Sequence, residues 1–240
     1  MTRLREEEGL NAASHLTCVD ATEDEVNAIA RDYWNTGIRH LVVLRSDPRG
    51  GGDVYQPTPG GYPYASDMVR GLRRVEDFEI SVAAFPETHP EAVSPAADLE
   101  NLKRKLDAGA TRAITQFFFD ASTFLRFRDR AVAAGIEAPI LPGILPIRSY
   151  RGACNFARKC GTSIPVWLDK LFEIELSPRE QAVRGGLIAL ELCRDLVKGG
   201  VNDFHFYTLN RAEPTVSICT LLRHLFEPGN TALKGRNASE

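Results

Sequence analysis

The sequence lacks any pairing pattern among its few cysteines. Five cysteines stand among 240 residues, an odd number without any CxxC pair. This spacing argues against a zinc site and against the disulfide framework of a small secreted domain. No signal peptide precedes them, so the cysteines predict reduced, buried thiols in a cytoplasmic protein that binds no metal.

The sequence also lacks a charge excess and a long apolar run. The net charge is −3, and the basic residues are scattered and mostly stand beside acids. The basic face of a nucleic-acid-binding protein is therefore absent. No apolar stretch approaches the ~20 residues of a membrane-spanning helix. The sequence shows no GxGxxG fingerprint and no Ser-His-Asp triad, and Gly50-Gly51-Gly52 has no following Lys-Ser/Thr, which argues against a phosphate loop.

Strands and helices alternate along the chain, and one βα unit is especially clear. Residues 80–85 form a β-branched and apolar run typical of a buried strand. Ser94-Pro95 then supplies an N-cap and a first helical position, and Gly109 ends the helix. Residues 113–119 form the next strand. Two strands joined by a helix favour a parallel sheet, whose polar strand ends form the ligand-binding edge.

Six such βα units, whose predicted strands include residues 40–44 and 203–209, fit one domain over residues 1–226, followed by a flexible tail at 227–240. A closed (β/α)₈ TIM barrel needs eight strands and typically ~250 residues. The pattern therefore predicts a TIM barrel with about six of its eight strands in this chain, or a smaller open sheet. The charged start at residues 1–9 resembles the end of a helix, which favours a missing front part.

Polar residues at the strand ends are the candidate site residues. Asp47 precedes a loop rich in proline and glycine rather than a helix, which favours a role in a site. Gln116 lies among bulky apolar residues and needs hydrogen-bond partners, either in the protein or in a ligand such as a pterin or flavin ring. His89 fits a surface position and a site position equally well. His15 and His205 suit core or supporting positions.

Three polar residues of the helix after Ser94 share one face. Asp98, Asn101 and Lys105 stand at positions i, i+3 and i+7, near the helix N-terminus. A solvated face explains this spacing as well as a binding surface does.

Many segments, in order, resemble the 5,10-methylenetetrahydrofolate reductases of the FAD-dependent bacterial type. They cover nearly the whole chain except the loop at 48–63 and the tail. The segments are HLTC at 15–18, RDYWNTGIRH at 31–40, YASD at 64–67, SVAAFPETHPEA at 81–92, DLENLKRKLDAGA at 98–110, RAITQFFFD at 112–120, PGILPI at 142–147 and DFHFYTLNRAE at 203–213.

The resemblance implies a (β/α)₈ barrel that holds FAD at the carboxyl ends of its strands. NADH or NADPH reduces the flavin, and methylenetetrahydrofolate takes the hydride to become 5-methyltetrahydrofolate for methionine supply. Asp47 then lies near the flavin pyrimidine edge and supports the cationic form of the folate. Gln116 binds the pterin and meets the nicotinamide, and Phe156 and Arg211 match folate-side positions. The positions that match FAD contacts are His15, Arg45, Ser46, Asp47, Ala65, Phe85, His89, Ala92, Asp98, Asn101, Arg104 and Lys105.

Three departures from the family pattern bear on activity. Ser46 replaces the usual glycine of an Arg-Gly-Asp turn, and Phe85 replaces a common tyrosine but keeps the aromatic face. The family's first two strands, with the glutamate that protonates the folate nitrogen, have no counterpart in this sequence. A general acid is worth 10²–10⁴-fold in rate, so we expect inefficient folate reduction. The same missing strands carry a Thr-Tyr segment that contacts the flavin in the family, so we also expect weak FAD binding.

Two alternatives stay open at this point. The first is a catalytically impaired remnant that serves as a binding or scaffold protein. An open barrel exposes its sheet edges and is expected to aggregate or form a homo-oligomer, so a soluble monomer that melts cooperatively favours this remnant or a rearranged closed fold. The second is another flavin-dependent barrel enzyme of the proline dehydrogenase kind, against which the FYTLNR ending argues.

Overall fold

The computed structural model describes residue 7, residues 9–45 and residues 55–226, apart from the side chains of residues 225 and 226. Ser46, Asp47 and the predicted tail at 227–240 lie outside the described residues. Most of the charged start at residues 1–9 also lies outside them.

The described residues form one six-stranded sheet in which the strands follow one another in chain order. Every strand pair with a defined register is parallel. This order confirms the parallel α/β fold that the alternation predicts. The strands are β1 (Ala13–Thr17), β2 (His40–Leu44), β3 (Glu79–Ala84), β4 (Arg112–Phe117), β5 (Ile140–Ile144) and β6 (His205–Phe206).

Helices connect the strands and follow the last one. They are α1 (Glu23–Asn35), α2 (Ala65–Val75), α3 (Pro95–Asp107), α4 (Ala121–Ala133), α5 (Tyr150–Cys160), α6 (Val166–Leu171), α7 (Pro178–Lys198) and α8 (Glu213–Phe226). Among the described helices, none combines the length and apolar character needed to cross a lipid bilayer.

The chain divides into two compact units. The first contains the residues up to Thr115 together with Ala131–Leu141, and the second contains Gln116–Arg130 together with the residues from Pro142 onward.

The first unit is built on β1, β2 and β3. Thr22 and Glu25 form a reciprocal capping box that starts α1, as their spacing predicts. Val26 on α1, Leu72 on α2 and Val82 on β3 are fully buried. Because apolar side chains recur at helical spacing on α1 and α2, each helix turns one face into the core.

The second unit has an aromatic core. Phe117 lies at the end of β4 and stacks on Phe156 at 5.1 Å between ring centroids. Its core also contains Leu145, Ile147 and Leu168. Ser177 caps the N-terminus of α7 in a second capping box, which the Ser-Pro start predicts in part.

Two sequence predictions need correction. The sixth strand was predicted over 203–209, but only His205 and Phe206 pair with β5, opposite Gly143 and Ile144. His15 was predicted in a core or supporting position; it is exposed, which excludes the core position. Its neighbours on β1, Ser14 and Leu16, are the buried ones, because alternate residues of a strand point to opposite faces.

Candidate active site

In the first unit, β1 and β2 end at the same level and their following residues touch. Thr17 pairs with Leu44 as the last residues of the register. One residue further, the Cys18 thiol donates to the carbonyl oxygen of Arg45 at 3.6 Å. Burial raises the pKa of the Cys18 thiol, so Cys18 stays a neutral donor at neutral pH and holds the backbone of Arg45.

The Arg45 side chain lies between an aromatic ring and a carboxylate. Its guanidinium carbon is 4.4 Å from the centroid of the Tyr55 ring. A guanidinium nitrogen lies 2.6 Å from the Glu91 carboxylate. Burial raises the pKa of Tyr55 to about 12, and its hydroxyl donates to the Pro63 carbonyl at 2.6 Å. Arg45 is thereby fixed in a position where it binds an oxyanion.

The loop after β3 supplies this carboxylate and the imidazole of His89. The loop turns at Thr88, which has a φ of +82°, unusual for a β-branched residue. The backbone N–H of Glu91 donates to His89 Nδ1 at 3.1 Å. This bond makes Nδ1 the acceptor, so the proton of the neutral ring lies on Nε2. The Phe85 ring packs against the imidazole at 4.5 Å between centroids.

Helix α3 fixes the other side of this loop. Ser94 accepts from Ala97 N–H and caps the helix, and Pro95 occupies the first turn, as the sequence predicts. Asp98 Oδ2 accepts from the backbone N–H of His89 at 2.9 Å. Asp98 thus positions the loop, and it holds His89 through its backbone.

Lys105, two turns further along α3, reaches the end of β3. Its ammonium donates to the carbonyl oxygen of Ala83. Burial lowers the pKa of Lys105 to about 8, and the Asp98 carboxylate partly offsets this effect. At neutral pH Lys105 therefore remains predominantly charged, and it places a partly desolvated cation beside the strand end.

The structure thus links five of the predicted FAD-contact residues through contacts within the first unit. They are Arg45, Phe85, His89, Asp98 and Lys105. Four others lie apart from these contacts or add little to them. Asn101 and Arg104 are exposed on α3, Ala65 is the first residue of α2, and Ala92 donates its N–H to the His89 carbonyl.

In the second unit, Gln116 and Phe117 are successive residues of β4, so their side chains point to opposite faces of the sheet. Its Oε1 accepts from the backbone N–H of Phe117 at 3.1 Å. Its partner is thus in its own strand, and the bond orients the amide group. Phe156, a predicted folate-side residue, is half-buried on α5 and stacks on Phe117 with the rings tilted by 26°. One face of Phe156 therefore belongs to the core.

Arg211 follows a tight turn after β6. Leu209 and Asn210 have φ values of +48° and +60°, and Arg211 N–H donates to the Thr208 carbonyl at 2.9 Å. Two central residues with positive φ define a type I′ turn. Arg211 itself is exposed.

Two residues of the site, Glu91 and Tyr55, escaped the sequence prediction. Glu91 contacts Arg45 across 46 positions of sequence, and no local spacing signals such a pair. Tyr55 stands at the end of a stretch rich in glycine and proline. The available signal was that an aromatic residue lies near Arg45 in the sequence.

Comparisons with known proteins place this chain among folate enzymes. The family profile described as "Methylenetetrahydrofolate reductase" matches residues 1–223. The chain is 53% identical over 222 residues to the 5,10-methylenetetrahydrofolate reductase of Salmonella typhimurium strain LT2, covering 91% of this chain and 72% of that protein. It is 52% identical to the enzyme of the same name from Escherichia coli strain K12, with the same coverage.

A solved structure has the same fold. It is an uncharacterized protein from Clostridium thermocellum that binds two copies of 5-methyl-5,6,7,8-tetrahydrofolic acid. The TM-score is 0.65 at 16% identity, over 93% of this chain and 78% of that protein. Together with the strand order, this likeness confirms the predicted fold, in which six parallel strands alternate with helices as in the TIM barrel of these reductases.

Proposed function

The chain belongs to the methylenetetrahydrofolate reductase family, and we propose that it reduces 5,10-methylenetetrahydrofolate to 5-methyltetrahydrofolate with FAD as cofactor and NADH or NADPH as reductant. Identity of more than half over 222 residues carries this proposal. The polar residues at the strand ends of the first unit support it.

The chemistry of these residues fits FAD. The cofactor brings an anionic diphosphate and a flat aromatic ring. Arg45 and Lys105 supply cations, and the contact of Arg45 with the Glu91 carboxylate supports a role for this guanidinium in binding a phosphate oxygen. The Phe85 ring offers an aromatic face. Arg104 is exposed on the same helix as Lys105 and adds a third positive charge.

Each of the remaining predicted residues has a proposed part. FAD, when bound, carries the hydride from the nicotinamide nucleotide to the folate. His89 is held by Asp98 and presents one N–H through the tautomer that the Glu91 amide selects. The amide of Gln116 is oriented by Phe117 N–H, so that its NH₂ group serves as a donor to a pterin. Arg211 attracts the carboxylates of the folate tail.

Asp47 has the central electrostatic role in this proposal, and its assignment rests on the sequence. A fixed carboxylate stabilises a cationic folate and disfavours added negative charge on its surroundings. Substitution of Asp47 by Asn therefore removes stabilisation that matters for the folate step. FAD binding, which depends on Arg45 and Lys105, remains.

Two separate measurements test the proposal. Under anaerobic conditions, NADH or NADPH is expected to bleach the flavin absorbance, and methylenetetrahydrofolate is expected to restore it slowly, because the sequence has no counterpart of the family's acid glutamate. D47N slows the second step by roughly 10²-fold, whereas D77N, which changes an exposed carboxylate of the same unit, leaves both steps unchanged. Failure of the folate to restore the absorbance of the wild-type protein contradicts the proposal. Tight binding of FAD or folate without hydride transfer favours the non-catalytic alternative.

A further inference from the structure

A groove of about 500 Å³ lies between α1 and α2 of the first unit. Residues three or four positions apart share one face of a helix, and each of the two helices turns such a polar face to the groove. None of the residues assigned above to FAD or folate lines it. The polar lining comes from Glu23, Asn27 and Arg31 on α1 and from Asp67, Arg70 and Arg74 on α2.

Tyr62 forms the floor of the groove. It is 5% exposed and packs against α2 at Gly71, where an added Cβ would meet the Tyr62 hydroxyl oxygen at 2.0 Å. This hydroxyl donates to Asn27 Oδ1 at 3.0 Å. Since the amide oxygen of Asn27 faces Tyr62, its NH₂ group points away from the floor and is the part that donates to a ligand.

The two ends of the groove carry opposite charges. Because β1, β2 and β3 are parallel, the helices that connect them in turn run in the same direction. Glu23 and Asp67 lie in the first turns of α1 and α2, and Arg31 and Arg74 lie about two turns further on. The groove therefore has an acidic end at Glu23 and Asp67 and a basic end at Arg31 and Arg74.

The basic end has two cations without a counter-charge. Arg70 already pairs with Asp67 at 3.2 Å. In the part of the chain that the structure describes, Arg31 and Arg74 have neither an ion pair nor a hydrogen bond. The macrodipole of α2 favours a base in its last turn, where Arg74 stands, but Arg31 stands in the interior of α1. Two such cations beside one groove attract an anion.

We propose that this groove binds a small sugar phosphate, with the phosphate at the basic end and the hydroxyl groups at the acidic end. A phosphate dianion carries two charges and three oxygens, which suit two guanidinium groups better than a singly charged carboxylate does. Carboxylates accept hydrogen bonds from hydroxyl groups. The volume leaves room for more than a phosphate, because small-molecule sites measure about 300–1,000 Å³.

The lining favours a sugar over a nucleotide base. A base needs an exposed aromatic or apolar face on which to stack. Tyr62 is the one aromatic residue among the described residues of the lining, and its burial against Gly71 leaves no face for stacking. The remaining side chains are mostly charged or polar, and these suit a ligand with many hydroxyl groups.

Isothermal titration calorimetry of the full chain with ribose 5-phosphate tests the site. Wild-type protein is expected to bind with a Kd below about 1 mM. R31Q and R74Q are each expected to weaken binding by roughly 10-fold, because each removes a charge-assisted hydrogen bond. The matched control is R179Q, which removes an exposed arginine of α7 and is expected to bind as the wild type does. No binding by the wild type, or wild-type affinity in R31Q and R74Q, overturns the proposal.

A further variant separates this groove from the candidate active site, where Arg45 also suits a phosphate. R45Q is expected to keep the wild-type affinity for ribose 5-phosphate. Loss of binding in R45Q together with normal binding in R31Q would assign the phosphate to the active site and overturn the proposal.

The orientation of the ligand has its own test. E23Q is expected to lower the affinity for ribose 5-phosphate relative to that for inorganic phosphate, because only the sugar reaches the acidic end. D24N changes the neighbouring exposed carboxylate, which does not line the groove, and is expected to leave the ratio of the two affinities unchanged. An unchanged ratio in E23Q contradicts the placement of the sugar.

Discussion

The ion pair between Arg45 and Glu91 makes a specific prediction about cofactor affinity. In the structure an oxygen of the Glu91 carboxylate lies 2.6 Å from a guanidinium nitrogen of Arg45. If Arg45 binds a phosphate of FAD, the phosphate competes with this carboxylate. Replacing Glu91 by Gln keeps the size of the side chain and removes its charge. We therefore expect E91Q to bind FAD more tightly than the wild-type protein.

The exposure of the two side chains sets the size of the effect. Arg45 is 20% exposed and Glu91 is 49% exposed, so solvent screens the pair. Such pairs contribute about 0.2–1 kcal/mol. Removing the competition by this amount lowers the Kd for FAD by roughly 1.4- to 5-fold. The gain shrinks at 1 M salt, where the Debye length falls to ~3 Å.

Quenching of flavin fluorescence during titration with the protein measures this affinity. The matched control is E79Q, which breaks the pair of Glu79 with Arg112, also at 2.6 Å and partly exposed. Glu79 lies at the start of β3, so E79Q is expected to leave the Kd unchanged. An unchanged or weaker affinity in E91Q, with folding intact, refutes the competition and places the FAD phosphates elsewhere.

Two more predictions concern stability. The pKa of Lys105 falls from 10.5 to about 8 because of burial, so between these values the unfolded chain binds the extra proton. The contribution of Lys105 to the free energy of unfolding therefore rises with pH from 8 to 10.5. Urea unfolding of the wild type and of K105M across this pH range checks the rise. A difference in free energy of unfolding that does not change with pH contradicts it. In α7, a Cβ at Gly185 meets the Ile147 carbonyl oxygen at 1.8 Å, whereas a Cβ at Gly186 meets nothing within 4 Å. Thermal melts should show G185A destabilised by about 3 kcal/mol and G186A stabilised by up to about 1 kcal/mol; equal effects contradict the packing.

Much of the fold was predictable because local signals agree with the tertiary structure. The capping boxes of α1 and α7 start these helices at the predicted residues, and β2 spans the predicted residues 40–44. The sixth strand was overestimated, because the aromatic run at 203–209 has a strand-like composition over most of its length. Only His205 and Phe206 are in strand register with β5, Tyr207 adds one backbone bond to Ile144, and composition carries no information about partners.

The candidate site was predictable in its members and less so in its contacts. Arg45, His89 and Lys105 came from the family resemblance, which preserves residue types in order. The pairing of Arg45 with Glu91 depends on how two loops meet, and no periodicity encodes it. The bond from Lys105 to the Ala83 carbonyl depends equally on how closely α3 packs on β3.

The backbone conformation of Thr88 shapes the loop of this site at a cost in stability. A threonine at a φ of +82° costs roughly 1–3 kcal/mol relative to a relaxed backbone, and glycine at that place removes the cost. Directed evolution of this protein for heat tolerance alone should therefore replace Thr88 early. The selected variants would have a more flexible loop around His89. A second round of selection would then be needed to restore the affinity for the cofactor.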